Sequence, residues 1–190
     1  MAIRIGILGD IGSGKSYVAN NFGYPVFNAD HEVSKLYKKN KKVFFQLKKK
    51  LPKYIDSFPV NKDKVSLAIL ANKTNLKKII NIVHKEVQKK MTLFLEKNKR
   101  KKIVILDIPL LLENKINKKN DVLIYVQSKN SEILKRLHKR KNFNKKLFKI
   151  FKSIQLPLDY KKRKSKFIIK NNFTKKSIGK RIKYILNEIN

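Results

Sequence analysis

The chain contains no cysteine, which excludes disulfides and thiolate metal sites from the outset. It also lacks any long hydrophobic run. The longest apolar stretch, Ile103 to Leu112, is interrupted by Asp107 and falls short of the roughly 18 residues a membrane span needs. No secretory leader is visible, because a strand-like run starts within three residues of Met1. A cytoplasmic protein with no membrane partner is therefore expected. Acidic residues are few, 13 against 48 lysines and arginines, for a net charge of +35. Such a charge suggests nucleic acid or an anionic surface. Arginine, however, stands only at Arg4, Arg100, Arg136, Arg140, Arg163 and Arg181. Readers of nucleic acid rely on arginine's planar fork to grip phosphate and guanine. Here lysine is spread along the whole chain among Asn and Ile, as AT-rich coding would place it on solvated faces. No specific nucleic-acid partner is expected. At 190 residues, one domain with inserted subdomains can bury a sizeable core.

What is present is sharper. Gly9-Asp10-Ile11-Gly12-Ser13-Gly14-Lys15-Ser16 follows the apolar run Ile3 to Leu8 and precedes a helical pattern from Ser16 to Phe22. Strand, glycine-rich turn and helix together let backbone N–H groups wrap a β-phosphate, with the helix N-terminus adding positive potential. The glycines allow backbone angles and a close approach that a side chain would block. Lys15 reaches the β- and γ-phosphates, and the Ser16 hydroxyl is placed to ligate Mg²⁺. The nucleotide-binding set is therefore Gly9, Ile11, Gly12, Ser13, Gly14, Lys15, Ser16 and the adjoining Tyr17. The ligand is a nucleoside triphosphate.

Five short β-rich runs occur along the chain: Ile3–Leu8, Pro25–Asn28, Ile103–Asp107, Val122–Val126 and Phe167–Ile169. Helical patterns separate them, which predicts a parallel sheet with helices on both faces. The stretch from Asp30 to Lys102 reads as all-helical. Leu76, Ile79, Ile80, Val83, Val87, Met91 and Phe94 mark its clearest helix. Others are expected near His31–Tyr37, Val43–Leu51 and Val65–Leu70, with Pro52 and Pro59 in the irregular connection. Beyond the fourth strand lie a basic helix over Ser131–Lys141, the segment Asn144–Ile154, and a final helix over Lys176–Ile189.

Ligands of an open parallel sheet sit at the carboxyl ends of its strands. Asp30 follows the second strand and is the candidate catalytic base, because a carboxylate there can accept the proton of an acceptor hydroxyl. It is equally a candidate helix N-cap. Asp107 ends the third strand, where a carboxylate can hold Mg²⁺ or its waters; the alternative is a polar strand terminus. Pro109 and Glu113 follow closely.

Taken in order, these motifs resemble those of the dephospho-coenzyme A kinases. The phosphate loop is similar to that family's Gly-Gly-Ile-Gly-Ser-Gly-Lys-Ser/Thr, and Asn28-Ala29-Asp30 to its Asp-Ala-Asp. Val83-His84 stands where the family has His-Pro. Asp107-Ile108-Pro109-Leu110-Leu111-Leu112-Glu113 resembles Asp-Ile/Val-Pro-Leu-Leu-Phe-Glu. Gln155 to Lys161 and Phe167 to Asn171 resemble two further family segments. The resemblance implies a five-stranded, three-layer P-loop kinase with a core (1–30, 103–130, 166–190), a helical acceptor subdomain (about 31–102) and a lid (about 131–165). It implies ATP and Mg²⁺ as cofactors, dephospho-coenzyme A as the small-molecule partner, and a monomer or weak oligomer. It places His84, Pro109, Leu110, Leu111 and Glu113 with Asp30 around the acceptor, and Asn171 at the nucleotide. Arg136 and Arg140, one turn apart, would neutralise charge on the transferring phosphoryl. From helix position alone His84 reads as a structural histidine; for the two arginines, informative among so many lysines, a solvated face is the alternative.

The chain departs from the family at Asp10, Asn28, Lys85, Lys166 and Lys170, with Asp10 and Lys170 the changes most able to alter nucleotide affinity. Two other readings stay open: a P-loop kinase for another hydroxyl acceptor, and a non-catalytic ATP-binding protein associated with polyanions.

Overall fold

The structure, a computed structural model, describes residues 2–140 and 143–189. Met1, Lys141 and Asn190, included in the expected core and basic helix, lie outside them. The described residues divide into two compact units, one within 2–28, 97–140, 143 and 154–189, the other 29–96 with 144–153.

The first unit holds the sheet. Its strands are β1 (Ile3–Gly9), β2 (Val26–Asn28), β3 (Ile103–Asp107), β4 (Val122–Gln127) and β5 (Phe167–Lys170). All pairings are parallel, in the order β2-β3-β1-β4-β5. Each of the five expected runs became a strand. Ile5, Ile7, Ile103, Ile105 and Ile124 are completely buried, as strands covered on both faces require. Each such side chain contributes roughly 1.5–3 kcal/mol.

One face packs on α1 (Lys15–Asn20) and α9 (Lys175–Ile189), with Val18, Ala19, Phe22, Ile178, Ile182 and Ile185 joining the isoleucine core. Ile178, Ile182 and Ile185 recur at helical spacing, and this stripe is what docks α9. α8 (Leu158–Lys164), with Pro157 at its N-cap, packs on β1 and β4. Gly6 in the middle of β1 makes room for Leu111, since a Cβ there would collide with the Leu111 and Leu123 side chains. The segment after β3 thus lies directly on the sheet.

The second unit is helical: α2 (Ala29–Lys39), α3 (Lys41–Lys50), α4 (Lys62–Ala71), most of α5 (Lys73–Lys97) and α7 (Lys145–Ser153). The many asparagines supply helix starts. Asn40 Oδ1 accepts from Val43 N–H at 3.0 Å, Asn61 Oδ1 from Asp63 N–H at 2.7 Å, and Asn144 Oδ1 from Leu147 N–H at 3.0 Å. Leu76, Ile79, Val83 and Val87 are the buried stripe of α5. The segment 131–165 is divided: α6 (Asn130–His138) and α8 belong to the first unit, and α7 to the second.

Candidate active site at the carboxyl ends of the strands

The loop between β1 and α1 has the geometry its glycines permit. Gly9, Gly12 and Gly14 have φ of 149°, 84° and 89°, angles that L side chains rarely adopt. At Gly14 a Cβ would also drive into the Asn171 amide. Gly14→Ala is therefore expected to cost about 2–3 kcal/mol through backbone strain and to weaken nucleotide binding. Thermal unfolding and calorimetry with an ATP analogue check both effects.

Lys15 is folded back over the loop, its Nζ donating to the carbonyls of Asp10 at 2.8 Å and Gly9 at 3.2 Å. The Asp10 carboxylate is buried, and its Oδ1 accepts the Ile11 N–H at 2.7 Å. It therefore braces the loop from within. The Ser13 hydroxyl is buried without a hydrogen-bond partner, a donor available to a ligand oxygen. Ser13's carbonyl accepts from Ser128 Oγ at 2.9 Å and Asn171 Nδ2 at 2.8 Å, tying the loop to β4 and β5. Ser16 and Tyr17, at the head of α1, are exposed.

Asn171, expected at the nucleotide, acts on the loop backbone instead of presenting its Nδ2 to solvent; it is 3% exposed. Its Oδ1 accepts the Phe173 N–H at 2.7 Å, and Phe173 holds φ at 63°. The Arg136 guanidinium lies 4.1 Å from the Phe173 ring centroid, a cation–π contact. Arg136 and Arg140 are both exposed. Sequence reasoning passed over Ser128 and Phe173, since neither hydroxyl nor ring belongs to a recognisable spacing.

β2 and β3 end side by side, with Asn28 opposite Asp107 in the register. Asp107 is buried, and Asn28 Nδ2 donates to its Oδ2 at 2.6 Å. Ser16 and Asp107 supply hard oxygen ligands of the kind Mg²⁺ takes, and a carboxylate held by one donor suits that ion. Among the described residues no cluster of three or more His, Asp or Glu could hold a metal ion by itself.

Two of the acceptor residues expected after β3 are occupied by the fold. Leu111 is fully buried against Gly6, so its role is packing and not ligand contact. Glu113 Oε1 accepts from Lys161 Nζ at 2.7 Å and Leu156 N–H at 3.0 Å. Lys161, 1% exposed, also donates to Gln155 Oε1 at 3.1 Å. The second oxygen of Glu113 is buried with no partner. Pro109 and Leu110 remain half-buried and accessible.

Asp30 and His84 lie in the second unit. Asp30 is exposed and sits inside the first turn of α2, not at the cap position before it. The negative charge there complements the helix dipole. His84 is half-buried on α5, with Nε2 buried and lacking a hydrogen-bond partner. Burial holds its imidazole below the ordinary value of 6.5. Below that value the unfolded chain takes up a proton that the folded one refuses, so stability falls as pH drops from 6.5 toward the folded pKa. Urea midpoints at pH 7.5 and 5.5 should fall further on acidification in the native chain than in His84→Gln.

Comparison with known proteins agrees with this geometry. A sequence model of dephospho-CoA kinase matches residues 3–176. The dephospho-CoA kinase of Wolbachia pipientis wMel is 32% identical over 98% of this chain and 97% of its own. That of Bartonella quintana is 34% identical over 87% of each chain. Among solved structures, TT1252 from Thermus thermophilus superposes with a TM-score of 0.78 at 26% identity, covering 100% of this chain and 98% of that one. The chain belongs to the dephospho-CoA kinase family.

Proposed function

We propose that this protein transfers the γ-phosphoryl group of ATP to the ribose 3′-hydroxyl of dephospho-coenzyme A, giving coenzyme A and ADP. The observation that carries the reading is the positive-φ phosphate loop in the same unit as the buried Asp107 at the end of β3. Family membership supplies the acceptor.

The β-phosphate sits among the loop N–H groups, with Ser13 Oγ as a further donor. Lys15 exchanges its two carbonyl partners for phosphate oxygens, an exchange favoured by the stronger charge-assisted bonds to phosphate. Ser16 and Asp107 would hold Mg²⁺. When bound, the ion would neutralise negative charge that develops on the phosphates during transfer. Asp30 takes the proton of the 3′-hydroxyl as the ribose oxygen bonds to the γ-phosphorus and the bond to the β-phosphate bridging oxygen breaks. Arg136 and Arg140 neutralise the equatorial oxygens, which requires Arg136 to leave Phe173. His84 Nε2, Pro109 and Leu110 serve the acceptor.

Coupled measurement of ADP release tests the acceptor. Dephospho-coenzyme A should support Mg²⁺-dependent turnover, while a panel of nucleosides and small metabolites should not. Turnover with a nucleoside and none with dephospho-coenzyme A would assign a different acceptor to the same scaffold.

A further inference from the structure

We infer that Asn28 is a positioning residue for Asp107: its amide aims the carboxylate before metal and nucleotide arrive. The inference rests on the proposed role of Asp107 toward Mg²⁺ and assigns a job to a residue at which the chain departs from its family. The two side chains occupy the paired ends of β2 and β3, and Asn28 Nδ2 lies 2.6 Å from Asp107 Oδ2. Asp107 is 3% exposed, so water alone cannot fix its orientation. A carboxylate at position 28 would face a second carboxylate at that distance, and would need a shared proton or a cation between them to remain there. The amide reverses this relation. It supplies a donor where a carboxylate supplies only acceptors, and it fixes one Asp107 oxygen in the absence of metal. The site also carries one negative charge fewer, so position 28 acts on metal affinity only through Asp107.

Groups that orient a metal-binding carboxylate commonly change metal affinity or activity about 10- to 100-fold when removed. The test is Mn²⁺ titration by electron paramagnetic resonance, with a non-hydrolysable ATP analogue bound, on the native chain, Asn28→Ala, Asn28→Asp and Asp107→Asn. Asn28→Ala should weaken Mn²⁺ binding about 10-fold with little change in affinity for the metal-free analogue. Asn28→Asp, nearly the same shape, should unfold at a lower temperature without metal and recover part of the loss when Mg²⁺ and the analogue are added.

Equal destabilisation of Asn28→Asp with and without Mg²⁺, together with unchanged Mn²⁺ affinity in Asn28→Ala, would make the hydrogen bond merely structural and overturn the inference. Unchanged Mn²⁺ affinity in Asp107→Asn would instead overturn the metal role of Asp107 itself. The two failures are thus separable, and the Asn28→Asp variant remains informative if Asn28→Ala folds poorly.

Discussion

Asp30→Asn should lower kcat for dephospho-coenzyme A by about 10²- to 10⁴-fold, the usual loss when a general base is removed, with KM for ATP nearly unchanged. Asparagine keeps the shape of the side chain and its place in the first turn of α2, but it cannot accept a proton from a ribose hydroxyl. The exposed position of Asp30 makes misfolding a poor explanation for such a loss. Lys15→Ala should differ in kind. Lys15 Nζ now bonds to the Gly9 and Asp10 carbonyls, and in the proposed reaction it would turn to phosphate as the loop's only side-chain cation. Its loss should lower kcat about 10²- to 10³-fold, comparable to removing one preorganised donor from a transition state, and weaken ATP binding as well. Steady-state kinetics with both substrates varied separates the two patterns. Equal damage to ATP affinity by both substitutions would place Asp30 in nucleotide binding and not in proton transfer.

The second large effect is on stability. Lys161→Ala should destabilise the fold by about 3–5 kcal/mol, because it leaves the Glu113 carboxylate buried without its cation. Glu113 already has one buried oxygen without a partner, so Lys161 and the Leu156 N–H hold the charge by a single oxygen. Replacing both residues together with apolar groups of similar size, Glu113→Leu with Lys161→Met, should recover most of the loss. Such exchanges are often neutral or stabilising when they remove both charges. Chemical unfolding of the two single variants and the double variant closes the cycle. A loss below 1 kcal/mol for Lys161→Ala would show the pair to be effectively solvated.

The strands were legible because each is a short apolar run, as Ile103–Asp107, buried along its whole length, illustrates. The phosphate loop was legible because its chemistry depends on local spacing. Three features were not. α8 was hidden because Lys161, Lys162, Arg163 and Lys164 follow each other, giving an apparently solvated run in which Lys161 is in fact completely buried. Its partner, Glu113, is distant in sequence, and no local pattern records that pairing. Among Leu110, Leu111 and Leu112 nothing in the sequence says which one enters the core. The space above Gly6 decides it. Asp10 stood out only as a change able to alter nucleotide affinity, and the sequence did not show that its Oδ1 is turned onto the Ile11 N–H. Side-chain direction within a loop is set by backbone angles that composition does not reveal.

The central claim is most directly tested by following the phosphorus. With [γ-³²P]ATP, Mg²⁺ and dephospho-coenzyme A, the label should appear in a product that co-migrates with coenzyme A, and a 3′-nucleotidase should release it as inorganic phosphate. Label found only in free phosphate, or in a product resistant to that enzyme, would contradict transfer to the ribose 3′-hydroxyl.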